Sequence, residues 1–163
     1  MTRATPYLSE SARAASASES RFRIDAPIAP ARAARVVALD ERAESVARRL
    51  AGRPWAHARF YTVGGVWPGG GLLYELGGVA APFDDVLTGT DVVVVLATED
   101  AGRSVAAEIG RLCGRRGITT AGVVMGDGYE ADEAVAALRP YARVLLLSAD
   151  ESDALELLTA LRV

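Results

Sequence analysis

Two hydrophobic periods take turns along this chain. "ARVVAL" (34–39) is a short apolar run closed by Asp40, and "ERAESVARRLAG" follows with helical spacing as far as Gly52. "HARFYTV" and "LLYELGG" read as strands joined by the glycine-rich "GGVWPGGG". "DVVVVLA" (91–97) is continuously apolar, the pattern of a strand buried on both faces. The segment after it sets Val105, Ile109, Leu112 and Cys113 on one helical stripe. "ITTAGVVM" is the next strand and "EADEAVAALRP" a helix ended by Pro140. "ARVLLLS" is the last strand and "ESDALELLTALRV" the closing helix.

Strands alternating with amphipathic helices predict an α/β domain. The expected form is Rossmann-like and doubly wound, a mostly parallel sheet of five to six strands with helices on both faces. It should occupy residues 34–163 as a single domain. Residues 1–33 break the pattern. "SESARAASASES" is small and polar, and "APIAPARAA" is interrupted by Pro27 and Pro30. That composition buries little, so a disordered N-terminal tail is expected there.

Composition then narrows the function. Half of the 163 residues are apolar, enough for one core. A formal net charge of −3 gives no electrostatic reason to expect a nucleic-acid partner. No apolar run approaches membrane-spanning length, so no membrane partner is expected. With one cysteine, Cys113, and no basic-then-apolar signal pattern, the reading expects a cytoplasmic protein. All 18 basic residues are arginine, and the chain has no lysine, asparagine or glutamine. GC-rich coding accounts for the bias, but it has chemical consequences. There is no P-loop or Schiff-base lysine, and no side-chain amide to complete an oxyanion hole.

Ligands of such sheets collect beyond the carboxyl ends of the strands. Those ends are Asp40-Glu41, Thr98-Glu99-Asp100, Gly126-Asp127-Gly128 and Ser148-Ala149-Asp150. The ligand-binding candidates are therefore Thr98, Glu99, Asp100, Arg103, Gly126, Asp127 and Ser148. Their edge is acidic. In "ATEDAGRS" only Gly102 relieves the backbone, whereas close approach to a diphosphate takes several glycines. Thr98 or Asp100 is expected to N-cap the helix that follows, answering the N–H groups a phosphate would use. Arg103 is either a bidentate donor to an anion or half of a surface ion pair with Glu99 or Glu108. Asp40, Asp100 and Asp127 are the carboxylates to weigh as Mg²⁺ ligands, although their spacing fixes no site. His57 stands at a strand start with no nucleophile marked beside it. Cys113 falls on the apolar stripe and reads as core. Trp67 is either a lid over a pocket or a plug on the core. Neither a catalytic residue nor a cofactor can be named from this pattern.

Three resemblances bear on the reading. "DVLTGTDVVVVLA", "AAEIGRLCGRRGITTAGVVM" and "EADEAVAALRPYARVLLLSAD" together resemble the nucleotide-binding half of the FtsZ/tubulin family. The resemblance implies a shared fold. That family's glycine-rich phosphate loop is replaced here by "TEDAGRS", which argues against GTP hydrolysis. "RVVALDERAESVARRLAG" and "VLLLSADESDALELLTALR" resemble the first and last thirds of a response-regulator receiver. The central strand here ends in Thr98 rather than a phosphoacceptor aspartate, which excludes a phosphorylation switch. Finally, "VAAEIGRLCGRRGITTAGVVMGDG" through "LRPYARVLLLSADESDALELLTALR" is similar to short bacterial proteins labelled 3-methyl-2-oxobutanoate hydroxymethyltransferase. The label implies a transferase of one-carbon units using Mg²⁺ and a folate donor. That enzyme is a TIM barrel, a fold of about 250 residues, longer than this chain.

The expectation is a Rossmann-like domain that binds a small molecule or a protein partner without catalysis of its own. The first alternative is a transferase or degenerate nucleotide enzyme using the acidic edge with Mg²⁺. The second is a module that forms homo-oligomers through an apolar face.

Overall fold

The computed structural model describes residues 29–163 apart from positions 66, 68, 69 and 128. Ala31–Val163 form one compact unit. Most of the expected tail, and Gly128, lie outside the described residues. Two residues of that expected segment are tied to the domain. The Arg32 amide donates to the Arg162 carbonyl (2.8 Å) and the Ala33 amide to the Asp91 carboxylate (2.8 Å).

The elements run β1 (Ala34–Ala38), α1 (Glu41–Ala51), β2 (Ala58–Val63), β3 (Leu72–Glu75), β4 (Ala80–Pro82) and α2 (Phe83–Val86). They continue with β5 (Val92–Ala97), a 3-10 turn (Asp100–Gly102), α3 (Arg103–Arg116) and β6 (Thr119–Met125). A second 3-10 turn (Tyr129–Ala131), α4 (Asp132–Leu138), β7 (Ala142–Ala149) and α5 (Glu151–Ala160) complete the unit. The strands form one sheet in the order β4-β3-β2-β1-β5-β6-β7. Pairing is parallel from β2 through β7, and antiparallel only between β2, β3 and β4. The fold is thus α/β with a mixed, mostly parallel sheet. It has seven strands rather than five to six, because Ala80–Pro82 adds a short edge strand. Three residues are too few to show a period in sequence, and this strand exists only by pairing with β3.

Each strand of the centre divides its side chains between two cores. Val36, Val92, Val94, Leu96 and Val123 face Ala43, Ala47 and Leu50 of α1 and Leu157 and Leu158 of α5. Val37, Val93, Val95 and Val124 face Ile109 and Cys113 of α3 and Leu138 of α4. Helices therefore cover both faces, as the pattern predicted. β5 is buried at all six positions because both of its faces are covered. The α3 stripe falls as expected, with Val105, Ile109 and Cys113 buried and Leu112 packed beside them.

Val94 is fully buried in β5, between its register partners Val36 on β1 and Ala121 on β6. An aspartate there would hold an unpaired charge away from water, at a cost of several kcal/mol, comparable with the whole stability of a domain. Val94→Asp should fail to give soluble protein with a cooperative melt. A soluble variant with a sharp thermal transition would contradict the central placement of β5.

Candidate functional site

β1 and β5 are neighbours, but the chain leaves them in opposite directions. From β1 it crosses to β2 on one side, and from β5 to β6 on the other. Such a divergence opens a crevice at the carboxyl ends of the two strands. Here those ends carry Asp40 and Thr98.

Asp40 fills the crevice. Its carboxylate accepts from the Thr98 amide (2.7 Å), the Thr98 hydroxyl (2.6 Å) and the Glu99 amide (3.3 Å). It also accepts from the Ala43 amide (2.9 Å), as the N-cap of α1. Backbone N–H groups at the end of a central strand are the donors that hold an anion in many α/β proteins. In this chain an internal carboxylate already holds them. Gly102 permits the close fit, since a Cβ on it would stand 2.6 Å from the Cβ of Leu39. Only a residue without a side chain lets the β5–α3 connection settle onto the end of β1.

The capping expected after β5 is corrected by this arrangement. Neither Thr98 nor Asp100 caps α3, whose N-cap is Gly102, with no side-chain bond. The Thr98 hydroxyl is turned to Asp40. The Asp100 carboxylate accepts from the Ala134 amide (2.9 Å) and so anchors α4. Arg103 pairs with Glu133 (2.8 Å) rather than with Glu99 or Glu108. Glu108 pairs instead with Arg111, whose guanidinium holds the Glu108 carboxyl below its ordinary range.

A cleft of about 230 Å³ lies beside the filled crevice, lined by Arg42, Thr98, Met125, Gly126, Asp127 and Glu130. Thr98, Gly126 and Asp127 were expected at this edge from sequence, and they meet here. Gly126 turns the chain out of β6 with φ of +84°, a conformation that favours glycine. Arg42 and Glu130 join the cleft unannounced by sequence. They form an exposed ion pair (3.0 Å) between α1 and the turn before α4. Arg42 follows Asp40 by two residues, so the helix start that Asp40 marks was the only available signal for it. Ser148 does not line the cleft. It is exposed, with φ of +52°, where β7 slips out of register with β6.

Asp40, Asp100 and Asp127 do not gather around one point. Among the described residues no three histidine, cysteine, aspartate or glutamate side chains stand together as a metal site. Asp40 and Asp100 already accept from backbone amides. Cys113 is buried, and burial pushes its thiol up to about 11, so it is no thiolate nucleophile at neutral pH. Trp67 packs on the core, 5.6 Å from the Phe83 ring, and its indole N–H donates to the Gly64 carbonyl (3.1 Å). It also walls an apolar hollow of about 210 Å³ with Leu72, Pro82, Phe83 and Leu112. His57 is exposed at the amino end of β2, on the opposite edge of the sheet.

Comparison with known proteins adds no relative. No family model matches the chain, no curated protein matches it, and no solved structure matches it.

Removing the Asp40 carboxylate should cost more than an ordinary N-cap. An N-cap deletion costs about 1 kcal/mol, and stranding the donors of Thr98 and Glu99 adds about 1–3 kcal/mol. Asp40→Ala should therefore lower unfolding free energy by about 2–4 kcal/mol in urea titrations, and Asp40→Asn by less. A loss below about 0.5 kcal/mol, typical of a neutral surface change, would mean that the carboxylate does not hold these donors in solution.

Proposed function

We propose that the chain is a Rossmann-like, doubly wound domain that binds a small polar ligand at the carboxyl edge of its sheet and performs no chemistry of its own. The observation that carries the reading is the Asp40 carboxylate on the Thr98 and Glu99 donors. A phosphate would have to displace it, and the surrounding residues do not favour that exchange. Glu99, Asp127 and Glu130 add negative charge, while Arg42 and Arg103 are already paired. The preferred ligand is uncharged or cationic and presents hydrogen-bond donors to Asp127, Glu130 and the Thr98 oxygen.

The transferase and nucleotide-enzyme readings need free carboxylates for Mg²⁺ and open backbone donors for phosphate. Two of the three aspartates considered for a metal, Asp40 and Asp100, accept backbone N–H bonds instead. The arrangement supports ligand binding over both.

GTP and ATP, with or without Mg²⁺, should bind this edge no tighter than about millimolar. Two like charges at about 4 Å near a protein surface repel by roughly 4 kcal/mol at an effective dielectric of 20. Calorimetric titration with amide chemical shifts of Thr98 and Gly126 checks this. Micromolar binding that moves those amides would overturn the reading and return the chain to the nucleotide-binding class.

A further inference from the structure

The two edges of the sheet differ in charge. Acidic residues occupy the first turns of α1, α4 and α5, and basic residues the last turns of α1 and α3. Helices that connect parallel strands start at the strands' carboxyl ends and finish at their amino ends. The basic edge is therefore the one opposite the cleft. Helix dipoles explain basic residues in the last turns. They do not explain Arg35 and Arg59, which are strand residues.

Arg35 on β1 and Arg59 on β2 are register partners in adjacent parallel strands. Neighbouring strands are about 4.8 Å apart, so two guanidinium stems rise side by side from one face. Like charges in this relation destabilise a sheet. No carboxylate among the described residues pairs with either of them, whereas six other arginines there are ion-paired. Arg35 is half-buried. It donates its Nε–H to the Val86 carbonyl (3.2 Å) and an Nη1 N–H to the Ala34 carbonyl (3.1 Å), and its Nη2 donors meet no acceptor among the described residues. Asp91, at the start of β5, gives its carboxylate to the Ala33 amide instead (2.8 Å). Arg35, Arg59 and His57 line one hollow of about 250 Å³, closed by Ala33, Ala56 and Ala58.

We propose that this hollow at the amino edge of the sheet is a binding site for a phosphate-bearing small molecule, held by Arg35 and Arg59 with His57 beside them. A phosphate group supplies the acceptors that the two guanidinium groups lack and removes their mutual repulsion. The small walls of Ala33, Ala56 and Ala58 leave room for the rest of the ligand.

The test uses inorganic pyrophosphate as the probe, at fixed ionic strength, followed through the Nε–H resonances of Arg35 and Arg59. Binding should be saturable, and Arg59→Ala should weaken it about tenfold or more. Arg59 is exposed, so this variant folds. Arg115→Ala removes the same charge from the end of α3, away from the hollow, and should change affinity by less than about twofold. Equal loss in the two variants would reduce the effect to general charge and overturn the proposal. So would the absence of saturable shifts at Arg35 and Arg59, or tighter binding of succinate than of pyrophosphate. The outcome is independent of the carboxyl-edge cleft: a nucleotide held here moves Arg35 and Arg59 and leaves the Thr98 and Gly126 amides in place.

Discussion

The Asp40 carboxylate joins two segments that lie 58 residues apart, the start of α1 and the end of β5. It caps α1, fixes the exit of β5 and closes the crevice between β1 and β5 with one group. The neighbouring features follow from its position. Arg42, on the first turn of the helix that Asp40 caps, is brought within reach of Glu130. Thr98, held by both its amide and its hydroxyl, becomes a fixed wall of the cleft. The 3-10 turn can then descend onto Leu39 through Gly102, which places Asp100 against the first turn of α4. A fold whose carboxyl edge ordinarily offers open donors thus presents a cleft with acidic walls.

That arrangement divides the surface by charge. Acidic residues open α1, α4 and α5 and arginines end α1 and α3, although Arg42 and Arg103 also stand at the carboxyl edge and Asp91 at the amino edge. The carboxyl edge disfavours phosphate, because its backbone donors are taken and carboxylates surround them. The amino edge carries two adjacent arginines with no carboxylate partner among the described residues, near an Asp91 carboxylate that is held by the Ala33 amide. On electrostatic grounds the two ends of one sheet suit different ligand chemistries.

The architecture was legible where the sequence carried a period. β5 announced itself by six apolar residues in a row, and α3 by Val105, Ile109 and Cys113. β4 and α2 were not legible, since elements of three and four residues are shorter than the pattern that would reveal them. The candidate site was legible in its members more than in its bonds. Thr98, Gly126 and Asp127 follow from the rule that ligands gather at strand ends. The bond from Asp40 to Thr98 depends on β1 lying beside β5, and strand order is not written in local pattern. For the same reason local pattern offers Thr98 or Asp100 as the cap of the next helix, whereas Thr98 bonds Asp40 and Asp100 bonds Ala134, 34 residues on. Ser148 stands at the end of β7, as its place in the sequence indicates, but β7 slips in register there and Ser148 does not line the cleft, a feature of pairing and not of composition. The Arg35–Arg59 pair is a matter of register as well, invisible until β1 and β2 are aligned.

An internal carboxylate occupies the donors of the crevice. Amide hydrogen exchange at Thr98 and Glu99 reads those donors directly. In the wild-type protein the Thr98 amide should be protected to a degree approaching that of Val94 in the same strand, and Asp40→Ala should remove the protection at Thr98 while Val94 keeps its own. A Thr98 amide that exchanges in the wild type as fast as the exposed Asp127 amide would contradict the account, since the donors would then be open to water and to any anion.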